Sequence, residues 1–338
     1  MVLTTFSGEN GALTASIVDS AGTRMAAGSG HRSVEIFDLE HPAGQQLMAL
    51  PLRGEDIGLY LRYADWTPEG NRAVLIGGSG TAYLIDLLQG TKRARLYMEP
   101  GALPRAALSS DGQRVFLAVD ARRLGLFSGD TGKLLMSLEG HEDDLAALAI
   151  RADGQRGVSA GGREIRVWNL EDGRTIQTID AGAEVASLAY LGTNIAVGCA
   201  DGSIRLFDDE TGGMSLIIEM AQIPVAAVAF SPDATRLISV AASGQVSLWN
   251  VPEGSKVRDW GIEVQMTPTR EGHLSVRFEP RGRYAIAYDQ RFSFTVFDTQ
   301  DAEIVYQSEL FPAITLFDRD DLVGTISPYG AVGTYSLQ

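Results

Sequence analysis

The sequence predicts an all-β chain built from one four-stranded antiparallel unit repeated from end to end. Three observations predict it. First, an aliphatic run ends in a large apolar residue and then Asp, Asn or Ser: EIFD at Phe37, YLID at Ile85, LGLFS at Phe127, RVWN at Trp168, RLFD at Phe207, SLWN at Trp249, TVFD at Phe297 and GTYS at Tyr335. Second, these copies are spaced by 48, 42, 41, 39, 42, 48 and 38 residues, and a fixed period of this size marks a stacked repeat. Third, Gly is abundant, with 38 in 338 residues, as recurrent tight turns require.

The clearest copy, residues 141–181, divides into four strands. LAALAI (145–150) is an apolar stretch of strand length, and ADGQ (152–155) is a turn. RGVSA (156–160) is the second strand, GGRE a tight turn, and IRVWNL (165–170) the third. EDGR turns again into TIQTID (175–180). Four short strands separated by Gly/Asp turns describe one antiparallel sheet.

The first turn repeats as DSAGTR (19–24), TPEGNR (67–72), SSDGQR (109–114), RADGQR (151–156), SPDATR (231–236) and EPRGRY (279–284). Gly takes the position that needs positive φ in most copies, and Asp or Ser can bond its own backbone. Arg24, Arg72, Arg114, Arg156 and Arg236 recur just after the turn, which points to a scaffold role at a strand start.

SPDA before a strand, the Gly140–His141 pair, and the Trp-Asn and Phe-Asp pairs resemble the WD-repeat β-propeller family across essentially the whole chain. The resemblance implies a propeller whose blades are these sheets. It also implies an internal tetrad of GlyHis, a second-strand Ser, a turn Asp and the third-strand Trp. Here His141, Ser159 and Trp168 match, but Gly162 stands where the family often has Asp. Asp201 fills that place before Phe207 in a copy without the His, and His273 is too close to Phe278 to match His141. Packing between sheets is therefore expected to carry most of the stability.

Alignment places VLTTFSG (2–8) on LLMSLEG (134–140), so the N-terminal segment reads as an orphan fourth strand. Residues 313–337 supply three strands, and the step from Tyr335 around to Phe37 is 40. The expectation is a single domain over 1–338: a closed propeller of eight four-stranded blades. They lie at about 12–50, 57–99, 102–140, 141–181, 182–221, 222–262 and 273–310, with the last formed by 313–338 and 1–9, which hides two sheet edges. The alternative is seven blades with 311–338 as a cap.

Composition narrows function. A hydrophobic content of 45% supplies a large core, and a net charge of −15 argues against nucleic acid, whose phosphates need clustered Lys and Arg. The start MVLTTFSGENGALTAS lacks a basic segment followed by an apolar one, and no run of about 18 apolar residues could span a bilayer, so a cytoplasmic location without membrane insertion is expected. Four His without a partnering constellation give no metal site, and no GxSxG, phosphate-loop or HExxH motif occurs; no cofactor is expected. Cys199, the single cysteine, lies in a second-strand run and reads as a buried thiol.

The two steps of 48 hold the insertions, at LEHPAG (39–44) with ALPLRGEDIGLY (49–60), and at DWGIEVQMTPTREGHL (259–274). Linkers between repeats emerge on the same face as the turns joining second and third strands, and loops on rigid sheets are where binding residues sit. Trp260, Met266 and Arg270 from the second insertion are candidate partner contacts, with His31, Arg122, Arg163, Arg291 and Tyr329 from the turns; for Trp260 the alternative is that it folds back to cover the edge of its sheet. The expected function is a non-catalytic interaction scaffold offering this loop-rich face to a protein or peptide. The alternative is a propeller enzyme or small-molecule sensor, lactonase-like, using the central channel.

Overall fold

A computed structural model describes residues 61–67, 71–77, 80–100, 102–220, 222–260, 275–278, 281–288 and 294–308. It also gives the backbone of strands at 2–7, 13–18, 24–29, 33–38, 46–51, 313–316, 322–326 and 331–336. The described residues are all-β, and among them no helix is long and apolar enough to cross a membrane.

Strand β1 is Val2–Ser7, and β2–β5 are Leu13–Val18, Arg24–Ser29, Ser33–Asp38 and Gln46–Pro51. Six further meanders follow. They are β6–β9 (Leu61–Trp66, Arg72–Gly77, Thr81–Asp86, Thr91–Tyr97), β10–β13 (Ala106–Leu108, Arg114–Ala118, Leu124–Ser128, Leu134–Leu138) and β14–β17 (Leu145–Ile150, Arg156–Gly161, Glu164–Asn169, Thr175–Asp180). After these come β18–β21 (Val185–Leu191, Asn194–Cys199, Ser203–Asp208, Met214–Glu219), β22–β25 (Val225–Phe230, Arg236–Ala241, Val246–Asn250, Ser255–Trp260) and β26–β29 (Ser275–Phe278, Tyr284–Tyr288, Phe294–Asp298, Glu303–Ser308). Each is a four-stranded antiparallel sheet in chain order. The last strands, β30–β32, are Ala313–Leu316, Leu322–Ile326 and Ala331–Ser336.

The turn chemistry is as the sequence requires. In the first turn of β10–β13, Ser109 Oγ donates to Asp111 Oδ1 at 2.6 Å and accepts from the Arg114 amide at 3.0 Å. Ser231 and Asp233 repeat this ahead of Arg236. Gly112 and Gly154 hold φ near +65° and +70°, a conformation that costs L side chains energy. The copy without glycine puts Ala234 there, at φ +58°.

The core lies between sheets. Val158, Val167 and Ile179 of one sheet pack on Val185, Ile195 and Phe207 of the next. Phe116 and Leu126 likewise meet Trp168 and Leu170. A buried apolar side chain of this size contributes roughly 1.5–3 kcal/mol, and here it does so only while the neighbouring sheet stays in place.

The recurring arginines reach across the same gaps. Arg72 donates from an Nη to Gly112 O at 2.8 Å, and Arg114 donates to Gly154 O at 2.9 Å and Leu170 O at 3.0 Å. Arg156 donates to Asp209 at 2.8 Å, a carboxylate that is fully buried and also bonds the Tyr190 hydroxyl. Burial and this carboxylate push the Tyr190 phenol pKa up. For Arg72, Arg114 and Arg156 the expected scaffold role is therefore a staple from a first turn to the following sheet, whereas Arg236 keeps a buried Nη1 without a hydrogen-bond partner.

Candidate functional site

The two rims of the sheets are distinguished by backbone bonds between neighbours. On one rim, Leu145 N donates to Ala121 O and Val185 N to Gly162 O, both at 2.7 Å. Linkers between sheets thus abut the second-to-third-strand turns, as the repeat geometry predicted. On the other rim, first turns meet, with Ser110 N donating to Ala152 O at 3.0 Å.

The first rim carries exposed charge in pairs. Arg122 Nε lies 3.0 Å from Asp144, and Arg163 binds Asp180 at 2.9 Å, with every one of these side chains more than half exposed. Arg123 pairs with Asp120 and with Glu99. Asp180 also accepts from the Gly182 amide; that bond and Arg163 hold its carboxyl below the usual range. Gly161 lets the linker lie close, since a Cβ there would stand 3.0 Å from the carbonyls of Asp143 and Asp144. Exposed pairs of this kind contribute about 0–1 kcal/mol each, so a partner can take either member at little cost.

Of the residues singled out from sequence, Arg122 and Arg163 stand exposed on this rim. Trp260 does not. The exposed-anchor expectation for it is corrected: the indole is 4% exposed, lies 4.6 Å from the Phe297 ring, and donates to Ala302 O at 3.2 Å. It closes the gap between β22–β25 and the next sheet, packed with Val276, Ala285 and Ala287. Its sequence neighbours in the loop resembled a surface insertion, but β25 extends to include it. Met266, Arg270, His31, Arg291 and Tyr329 lie outside the described residues, as does most of both insertions.

A buried polar cluster was only partly legible. His141 Nε2 lies 2.7 Å from Ser159 Oγ, which also accepts the Trp168 indole N–H at 2.8 Å. Glu164 Oε1 stands 3.1 Å from His141 Nδ1, out of line for a hydrogen bond, and pairs with Arg166 at 2.6 Å. Glu164 therefore supplies the carboxylate that Gly162 lacks, from two residues further on. Burial drives the His141 pKa down to about 4, against the pull of Glu164, so the ring is neutral at pH 7. The Arg166 hydrogen bond holds the Glu164 carboxyl below its usual value.

Glu, His and Ser side by side resemble a hydrolytic relay. The surroundings forbid attack on a substrate: Ser159 is 0% exposed and its oxygen is already engaged by Trp168. In the sheet β22–β25, Trp249 donates to Ser239 Oγ at 2.9 Å, and Ser239 in turn donates to Met220 Sδ at 3.6 Å. A thioether there does the work of the imidazole, which marks the cluster as structural. Cys199 is fully buried, and burial pushes its thiol pKa up.

The stacked sheets, interleaved cores and indole–serine bonds define a propeller-like repeat protein. Residues 132–169 and 221–250 match the family model "WD domain, G-beta repeat". These two segments match WD repeats, in keeping with the resemblance read from the sequence. It is similar to Protein groucho of Drosophila melanogaster, with 23% identity over 256 residues, covering 73% of this chain and 34% of that protein. The chain thus spans about a third of that relative's length. A crystal structure of the computationally designed Ika8 protein superposes with a TM-score of 0.73 at 18% identity, over 99% of both chains, a likeness of fold.

Proposed function

We propose that this chain is a non-catalytic interaction scaffold, an eight-bladed propeller closed by its own N-terminal strand. It offers the rim of linkers and second turns to a protein or peptide partner. Closure is supported by the backbone pairing of β1 with β32, which places Val2 opposite Tyr335 and Ser7 opposite Ala331, in a sheet of order β1-β32-β31-β30.

The observation that carries the reading is the rim itself. Rigid sheets fix it through interblade bonds such as Val185 N to Gly162 O, while its exposed Arg122 and Asp144, and Arg163 and Asp180, meet in exchangeable surface pairs. Such a surface binds by display, with little ordering cost. The match of two segments to the WD-repeat family model is in keeping with protein partners. His31, Arg291, Tyr329, Met266 and Arg270 are proposed to extend the same surface.

The test is the pair of substitutions Arg122→Glu and Arg163→Glu, compared with Lys256→Glu on an outer strand. Affinity purification with mass spectrometry should lose the same partners in the rim variant and keep them in the outer-strand control, with thermal unfolding unchanged in both. Equal capture by all three proteins would sink the assignment of this face.

A further inference from the structure

The last strand of each sheet is an edge, with one row of backbone groups unpaired. Natural proteins guard such edges with charge. Here β9 (TKRARLY) carries Lys92, Arg93 and Arg95, and β25 (SKVRDW) carries Lys256, Arg258 and Asp259. In β17 the terminal Asp180 is tied to Arg163, and β13 is entered from the exposed Lys133. Strand β21 (MSLIIE), like β17 (TIQTID), has no charge until its final residue, and it is the one flanked by acidic residues with no Lys or Arg from 206 to 235.

The register says which groups are free. Met220 N donates to Gly202 O, so by antiparallel alternation Ile218 and Leu216 bond inward to Ile204 and Leu206. Ile217 and Glu219 are left with N–H and C=O facing outward, while Ser215 sits in a β-bulge and turns its hydroxyl inward to Leu206 O at 3.3 Å. Beside them, Met214 is 55% and Ile217 43% exposed. Glu210 and Glu219 are exposed at the two ends, Glu210 in only a loose 3.7 Å contact with Arg156. No Lys or Arg occurs between Arg205 and Arg236, while Asp208, Asp209, Glu210, Glu219 and Asp233 all do.

We infer that the free edge of β21 is a strand-addition site for an extended peptide segment of another protein, apolar at alternate positions and basic at its ends. The peptide's backbone bonds to Ile217 and Glu219, its apolar side chains cover Met214 and Ile217, and its cations meet Glu210 and Glu219. A second copy of this chain fits poorly, because it would bring the same carboxylates and a net charge of −15 to the junction. The site lies on the outer circumference and does not depend on the rim proposed above.

The probe is acetyl-Lys-Val-Thr-Val-Thr-Val-Lys-amide, followed by fluorescence anisotropy and by amide hydrogen exchange of the full chain. Saturable binding with slowed exchange at Ile217 and Glu219 is expected, and the same peptide with Glu for Lys should not bind. Ile217→Pro removes only an outward N–H, which an edge strand tolerates, and Glu219→Lys removes the terminal charge. Each should weaken binding at least about tenfold with unchanged melting. Should Ile217→Pro unfold, Ile217→Lys replaces it. Equal binding by the variants, or protection confined to Glu142–Asp144, overturns the proposal. Sedimentation showing self-association of the parent that Ile217→Pro abolishes also overturns it, in favour of a second copy as occupant.

Discussion

His141 makes its sheet sensitive to acid. Its pKa is about 4 in the fold and 6.5 for the free ring, so between those values the unfolded chain takes up a proton that the folded chain refuses. Stability is therefore full above pH 6.5 and declines as pH falls toward 4, by on the order of 3 kcal/mol. Glu164, held low by Arg166, acts in the same direction at more acid pH. His141→Gln should be less stable at pH 7 but lose less between pH 6.5 and 4.5, read as urea midpoints; parallel profiles would refute the assignment. Ala234 illustrates a second local tension, at φ +58° where its sister turns have glycine. Ala234→Gly should raise stability by about 0.5–1 kcal/mol, after the extra freedom of the unfolded chain is counted, in a thermal melt. The serine and indole of the buried cluster were legible from sequence because their spacing repeats. The Glu164 and Met220 substitutes were not, since each replaces a missing family residue from a neighbouring position.

At the scale of elements, strand boundaries in the clearest repeat were legible to within a residue: 145–150, 156–160, 165–170 and 175–180 from sequence, against Leu145–Ile150, Arg156–Gly161, Glu164–Asn169 and Thr175–Asp180. Alternation and Gly/Asp turns are local, so sequence reports them well. The partners of the repeated arginines are not local. Arg72 and Arg114 each bond a turn carbonyl 40 residues on, and only the recurrence hinted at a scaffold. Between exposure and burial of Trp260 the sequence could not choose, for the same reason, because its burial depends on Phe297 in the next sheet. Arg114→Ala leaves the carbonyls of Gly154 and Leu170 without their donor and should cost about 1–3 kcal/mol in denaturant titration. Gly129 is a sharper case: a Cβ there would sit 1.9 Å from Gly112 O, on backbone that cannot swing aside. Gly129→Ala should cost roughly 1–3 kcal/mol or more. A melt unchanged by Arg114→Ala would show that neighbouring first turns do not lean on each other, and one unchanged by Gly129→Ala would show that the contact of the two turns within this one sheet relaxes freely.

For the whole molecule, the consequence of interblade packing is that stability is shared around the stack, with each sheet supported by its neighbours. The core clusters each draw on two adjacent sheets, so no sheet owns its own core. If β1 completes the sheet of β30–β32, it is the one strand that joins the two ends of the chain within a single hydrogen-bonded ladder. Deleting residues 1–8 would then strip five backbone pairings from β32, open its edge, and free both termini at once. The loss should be on the order of 5 kcal/mol, lowering the calorimetric Tm by about 10 °C. It should also spread beyond the last sheet, with faster amide exchange in β2–β5, because an open ring lets the flanking sheets fray. A synthetic peptide of residues 1–8 added in trans should restore part of the lost Tm, as a strand donated to an open edge. A truncated chain that melts like the parent, and that the peptide does not stabilise, would mean the termini are not joined through β1.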